Sequence, residues 1–238
     1  MEKIPNQLTQ PNFEIVQPSV KLTGITKPCI EGHPEIQTAE QLIAYHARVS
    51  NPSNQANPNI VKLLQYCIDK GHISIFEQAD ISFEIVTSRD ISAQILRHNC
   101  KPQEFSQRYA EVTEFLPVEA RLQDTKDRQN SLEIDSANIE QVELEVWLQE
   151  EYRRVLMVTM QVYKQALEKG IAKEVARKLL PINAKTTICV KWNVRDLMFY
   201  IDRRTEPSTQ KEHRIIAEMI KVIFIEQFPI ISKAKGWC

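Results

Sequence analysis

The chain has 238 residues, 42% of them hydrophobic, enough to bury one sizeable core or two small ones. Thirty lysines and arginines against thirty-one acidic residues leave a formal charge of −1, which excludes a general field recruiting nucleic acid or an anionic membrane. The five cysteines (Cys29, Cys67, Cys100, Cys189, Cys238) make no CxxC pair and no zinc-ligand spacing, and no apolar run approaches the roughly 20 residues of a spanning helix. Free thiols in a reducing, cytoplasmic compartment are therefore expected, with no metal, no nucleic acid and no membrane.

In chain order, residues 1–12 are polar with two prolines and read as a loose arm. Phe13 to Ile25 suggests a first strand. Thr38, followed three residues later by Gln41, has the spacing of a capping box and opens a helix running to about Val49. The stretch from Ser50 to Pro58 is a loop by composition. A second helix carries Ile60, Leu63, Leu64 and Cys67 on one face and ends near Gly71. Ile81, Phe83 and Ile85 then alternate with polar residues, the pattern of a half-buried strand. A short helix over Arg89 to His98 and an extended run from Ser106 to Leu116 follow. Residues 121–140 read as a polar loop, and the pattern from about Ile139 to Glu168 is one long helix that Gly170 stops; unbroken, it would reach roughly 45 Å. A short helix over Lys173–Leu180, a strand over Thr186–Val190 and helices near Val194–Arg203 and Thr209–Phe228 complete the chain. The simplest architecture is a single α+β domain over 1–238, a mostly antiparallel sheet packed with helices, with the long helix filling 141–170.

The densest chemical group is Gln94, Arg97 and His98 with Glu104, Ser106 and Arg108. On a helix over 89–98 the first three project to one side, and in an extended segment the last three share one face. Pro102 is expected to turn the chain between them. Amide, guanidinium and imidazole at a helix end can read a uracil-like edge or a phosphate, and arginine suits bidentate phosphate contact. The same residues also suit a solvated polar face. Further groups are Gly71–Glu77 around His72, Glu174–Asn183 around Arg177, and Asn193 and Arg195 with Arg203, Arg204 and Thr209–His213; each has a structural reading, such as an arginine facing a helix dipole. No GxGxxG or phosphate loop is present, so no dinucleotide is held in the Rossmann manner.

The run Gln94-x-x-Arg97-His98 … Gln103-Glu104-Phe105-Ser106-Gln107-Arg108-Tyr109 resembles the signature of the flavin-dependent thymidylate synthases, written RHR-x7-S. Ala47–Ser50, Gly71-His72-x-Ser74-x-Phe76-Glu77, Glu174–Asn183, Asn193-x-Arg195 and Arg204-Thr205 … Thr209–Arg214 extend the resemblance, in the family's order, over residues 45 to 215. The resemblance implies a homotetramer with active sites where subunits meet. It also implies reductive methylation of dUMP to dTMP, with FAD reduced by NADPH and carbon from 5,10-methylenetetrahydrofolate. By the same resemblance, Arg204 is the catalytic residue. Contacts to dUMP fall on Gln94, Arg97, Glu104, Phe105, Ser106, Gln107, Arg108, Arg177 and Arg204, and contacts to FAD on Ser50, Ser74, Arg97, His98, Asn99, Glu104, Asn193, Arg195 and Phe199. The chemistry suits these types, because a cation fixed beside the uracil N3/O4 region makes C5 nucleophilic.

Four features depart from the family pattern. Asn99 stands at the third signature position, and Arg97 to Ser106 is one residue short; either Asn99 replaces the arginine or Lys101 restores a charge from a shifted position. Cys100-Lys101-Pro102 replaces an apolar run, Phe199 replaces a polar residue, and Arg203 an apolar one. A hydroxymethylating relative and a catalytically silent nucleotide-binding protein are the alternatives these departures leave open. Aromatic content of 7% and neutral charge disfavour a nucleic-acid module.

Overall fold

A computed structural model describes residues 12–238, so the expected arm lies outside the described residues except for Asn12. The elements in chain order are β1 (Glu14–Ile15), β2 (Ser19–Ile25), α1 (Ala39–Ala47), α2 (Val61–Asp69), β3 (Asp80–Ser88), α3 (Arg89–Ile95) and β4 (Lys101–Glu104). Then come β5 (Glu114–Phe115), β6 (Arg121–Gln123), β7 (Ser131–Glu133), α4 (Ile139–Glu168) and α5 (Lys173–Ala176). The chain closes with β8 (Lys185–Asn193), α6 (Val194–Arg204), α7 (Lys211–Gln227) and α8 (Pro229–Ala234). Three 3-10 turns, Pro52–Asn54, Ile73–Gln78 and Arg177–Leu179, join them.

The architecture is α+β, with an antiparallel sheet packed by helices. The four-stranded sheet has the order β2–β3–β8–β4. In β3 the alternation read from the sequence holds, with Ile81, Phe83, Ile85 and Thr87 buried, and β8 matches it with Thr186, Ile188, Val190 and Trp192. A smaller pair, β1 with β5, is parallel, so the sheets are not uniformly antiparallel.

Several boundaries correct the sequence reading. The stretch Phe13–Ile25 is not one strand, because three residues ending in Pro18, which offers no backbone donor, separate β1 from β2. The helix opened at Arg89 stops at Ile95 rather than His98: the Arg97 and His98 amides bond back to Gln94 and Ile95, three residues away, which tightens the chain into a turn. Pro102 does not turn the chain; it sits in β4, the edge strand, where a missing donor is tolerated. Ser106–Ala110 is a turn, with the Tyr109 and Ala110 amides on the Ser106 carbonyl, so Glu104, Ser106 and Arg108 do not share an extended face. The polar stretch 121–140 contains the β6–β7 hairpin, registered Arg121↔Glu133 to Gln123↔Ser131, which alternation too short to read in sequence concealed. The long helix begins at Ile139, under an Asn138 side-chain cap, and ends at Glu168 before Gly170 at φ +81°.

The described residues gather into two compact units. The first comprises residues up to Pro18 with Val86–Ser92 and Glu104–Thr187. Its core is Phe115 and Val112 against Leu156, Met160 and Tyr163 of α4, closed by Ala176 and Ala184. Asn183 holds this core's edge, donating to the Leu116 carbonyl at 2.9 Å and to the Tyr152 hydroxyl at 2.5 Å. The second unit comprises Ser19–Ile85, Ala93–Gln103 and Ile188–Cys238. Thr38 caps α1 as its capping box predicts, with Gln41 returning a bond to the Thr38 amide at 2.9 Å. An aromatic run, Phe83–Trp192–Tyr200, fills the middle of this unit, with ring centroids 6.2 and 5.2 Å apart. Glu40, buried on α1, accepts the Ile231 amide at 2.8 Å at the start of α8, an element absent from the sequence reading.

Candidate active site

In the second unit, the turn after α3 and the last turn of α6 bring His98 and Arg204 together. Arg204 Nε donates to His98 Nε2 at 2.8 Å, which requires that nitrogen to be unprotonated. The His98 ring stands edge-on to Tyr200, centroids 4.9 Å apart. Burial, reinforced by the Arg204 charge, lowers the His98 pKa to about 4. The imidazole is thus a neutral acceptor at pH 7, and it orients the guanidinium without neutralising it. Among the described residues no carboxylate pairs with Arg204.

Next to this pair a polar chain runs from the buried Tyr200 and His213 out to the surface. The Tyr200 hydroxyl is 3.1 Å from His213 Nε2, and His213 Nδ1 is 3.3 Å from Gln94 Oε1. Gln94 Nε2 donates to Gln210 Oε1 at 2.7 Å. One assignment satisfies every link: Tyr200 donates to Nε2 of a neutral His213, whose Nδ1–H donates to Gln94. Burial is the main cause lowering the His213 pKa to about 3, with the Arg204 charge next, and burial raises the Tyr200 hydroxyl above its ordinary value. The amide of Gln94 is therefore held in one orientation, with one N–H remaining for another partner.

The other predicted residues of this unit divide by whether a protein partner already engages them. Arg97 is exposed, and no ion pair holds its guanidinium among the described residues. Asn99 donates to Asp196 at 2.5 Å, and Asn193 caps α6, its carbonyl oxygen accepting the Asp196 amide and its amide donating to the same carboxylate at 2.8 Å. Asn193 thus has a complete structural role, and Asn99, at the departing signature position, is joined to the same carboxylate. Arg195 is ion-paired with Glu77. Ser50 begins a loop that Arg48 clamps, its guanidinium donating to the carbonyls of Asn57 and Asn59 at 2.6 and 2.7 Å. Ser74 is exposed in its 3-10 turn, and Phe199 is exposed with the Arg203 guanidinium 5.7 Å from its ring centroid.

In the first unit, Glu104 is the centre. Its Oε1 accepts from Ser92 Oγ at 2.7 Å, from Thr186 Oγ1 at 3.1 Å and from Arg89 Nη1 at 2.8 Å. Phe105 follows, exposed, its amide on the Thr187 carbonyl. Ser106 Oγ accepts the Arg108 amide at 3.4 Å, and Gln107 turns inward with its side-chain nitrogen unpartnered. Arg108 pairs with Glu174 at 3.1 Å across two exposed side chains, a contact worth little in water. Arg177, three residues beyond Glu174, is half-buried and has no carboxylate partner among the described residues. A loosely paired and an unpaired guanidinium suit a phosphate.

Arg89, Ser92, Thr186 and Asp196 were not singled out from sequence. Each acts through a partner brought near by folding, and only the hydroxyl and carboxylate chemistry of the residues themselves could have pointed to them. For FAD, the fit rests on the donor set. Arg97 offers a free guanidinium for a diphosphate, Ser50 and Ser74 offer hydroxyls, and His98 offers a neutral ring. Asn193 and Arg195 would have to share or exchange present partners.

Comparison with known proteins follows the same line. Residues 34–230 match the family model described as thymidylate synthase complementing protein. The chain is 48% identical over 222 residues to a probable flavin-dependent thymidylate synthase of Paramecium bursaria Chlorella virus 1, covering 92% of this chain and 99% of that protein. It is 46% identical over 219 residues to the flavin-dependent thymidylate synthase of Synechocystis sp., with the same coverage. In three dimensions it superposes on a UMP/dUMP methylase from Streptomyces cacaoi, at a TM-score of 0.77 and 22% identity, over 93% of this chain and 96% of that one.

Proposed function

Because this chain belongs to the flavin-dependent thymidylate synthase family, we propose that it converts dUMP to dTMP by reductive methylation, as a methyltransferase of dTMP biosynthesis. The observation that carries this is the near-half identity to two such enzymes over almost the whole chain. The carbon donor is 5,10-methylenetetrahydrofolate, the reductant NADPH, and the assembly a homotetramer with active sites where subunits meet. FAD, when bound, supplies the redox chemistry that no side chain here possesses.

Arg204 is the catalytic residue. Its guanidinium, held by a neutral imidazole and free of carboxylates, keeps its charge available for the N3/O4 region of the uracil, where it stabilises the negative charge that makes C5 nucleophilic. Gln94, fixed by His213, presents its remaining N–H to the same base. Arg108 and Arg177 take the 5′-phosphate, for which Arg108 exchanges an exposed carboxylate for a dianion. Glu104, Phe105, Ser106 and Gln107 complete the nucleotide side, and Arg97 serves both nucleotide and flavin. Ser50, Ser74, His98, Asn99, Asn193, Arg195 and Phe199 complete the flavin side, with Asn99 and Asn193 linked through Asp196.

The test is the visible spectrum and product of the purified protein. A flavin band bleached by NADPH, with dTMP formed from dUMP and methylenetetrahydrofolate by mass spectrometry, is expected. A colourless protein that forms no dTMP overturns the reading.

A further inference from the structure

Five side chains of the second unit form one hydrogen-bonded line with a direction built into it. Its outer end is Glu212, whose Oε2 accepts from Gln210 Nε2 at 3.0 Å. A carboxylate only accepts, so the Gln210 amide is turned with its nitrogen toward Glu212 and its carbonyl oxygen toward Gln94. Gln94 Nε2 donates to that oxygen at 2.7 Å, which turns the Gln94 carbonyl oxygen toward His213 Nδ1 at 3.3 Å. Nδ1 must therefore carry the one proton of a neutral imidazole, and Nε2, left bare, accepts from the Tyr200 hydroxyl at 3.1 Å. Reversing any single link sets donor against donor or acceptor against acceptor.

The direction decides which end of the Gln94 amide is on offer. His213 is fully buried and Gln210 exposed, so the amide oxygen faces the interior and the nitrogen the open side. One N–H goes to Gln210 and the other is left for a ligand. Arg204 serves the same place: it contacts His98, whose ring centroid is 6.2 Å from that of His213. A guanidinium has five donors and no acceptor. Both groups offered to a pyrimidine are thus donors. Uracil carries a carbonyl acceptor at position 4, where cytosine carries an amino donor. Against cytosine these donors meet another donor, and a desolvated donor with no acceptor is costly. A site built to hydrogen-bond one group rejects an analogue lacking it more strongly than an apolar pocket does.

We propose that His213 is a positioning residue for substrate choice: through the line from Glu212 to Tyr200 it holds Gln94 as a donor and so makes the site select uracil over cytosine nucleotides. The inference rests on the pyrimidine site proposed above and adds the device by which that site discriminates.

Isothermal titration of dUMP and of dCMP into the purified protein, in the presence of FAD, tests it. The readout is the ratio of the two dissociation constants, which a loss of stability alone does not move. The wild type is expected to bind dUMP about a hundredfold more tightly than dCMP. His213→Leu removes the donor to Gln94 Oε1 and frees the amide to turn, so it should narrow the ratio about tenfold. His213→Gln can still donate to Gln94 and accept from Tyr200, and it should restore the ratio. An unchanged ratio in His213→Leu, or a narrowed one that His213→Gln does not restore, overturns the positioning role and leaves the dUMP site standing. A wild type that binds both nucleotides equally overturns the selection itself, and one that binds neither overturns the proposed site as well. Should His213→Leu fail to fold, the double variant Tyr200→Phe/Gln210→Ala decides, because it frees the His213 proton at both ends. A narrowing of about threefold is then expected, and an unchanged ratio overturns the role.

Discussion

Arg204 and Glu104 are both partly buried charged side chains, and the fold holds them in opposite ways. Three donors converge on one oxygen of Glu104, one of them the Arg89 guanidinium, so its charge is already compensated within the protein. Arg204 has a neutral imidazole for a partner, and that imidazole is kept neutral by burial and by Arg204 itself. The first arrangement stabilises a local structure. The second holds a cation in position with no opposing charge beside it. The difference lies in the partner: Glu104 meets a cation, and Arg204 meets a ring that burial keeps neutral.

Breaking the Arg204 side should have the largest effect. Arg204→Gln is expected to lower the rate of dTMP formation roughly a hundred- to a thousandfold, the range for removing one fixed electrostatic stabiliser. Its melting temperature should stay near wild type, because no ion pair is lost. Steady-state kinetics with a thermal melt measures both, and a large loss of stability would place Arg204 in the same class as Glu104. Glu104→Gln should do the reverse first: removal of the charge weakens three bonds at once and costs about 2 kcal/mol, read from the urea midpoint.

The histidines sharpen the comparison through pH. Their folded pKa values, about 4 for His98 and about 3 for His213, lie below the ordinary 6.5, so below that pH the unfolded chain takes up protons that the folded one does not. Stability contributed by neutral histidines is present above pH 6.5 and declines as the pH falls toward 4 and then 3. His213→Gln should flatten this slope in urea titrations between pH 4 and 6.5; an unchanged slope would assign the acid sensitivity elsewhere. The smallest effect belongs to Glu40, whose carboxyl is raised by burial to about 7. Its contribution runs the opposite way, full below 4.5 and lost as the pH rises through 7. Glu40→Gln should therefore gain on the order of 1 kcal/mol relative to wild type at pH 8 and little at pH 5.

Elements with strong periodicity and clear caps are legible in the sequence alone. The thirty-residue α4 and the capped α1 appear within a few residues of their expected ends, and β3 shows its alternation. The short pieces were not legible. α3 loses its last turn, the run after Ser106 turns instead of extending, and two three-residue strands pair inside a stretch read as loop. Isolated segments of that length hold no shape of their own, and their hydrogen bonds are chosen by what packs on them.

The site divides along the same line. Residue types and their order alone pointed to the family: the motifs around Gln94, Arg97, His98, Glu104, Arg177 and Arg204 are spread over more than a hundred positions, and the family match covers them all. What tertiary structure decided is the state of each group. His98 is a neutral acceptor because burial and a cation make protonation costly, and Asn193 is engaged as a helix cap. Glu104 has its charge balanced by Arg89 and its oxygen further bonded by Ser92 and Thr186, residues with no sequence signal, because a partner's identity depends on distance through space and not along the chain.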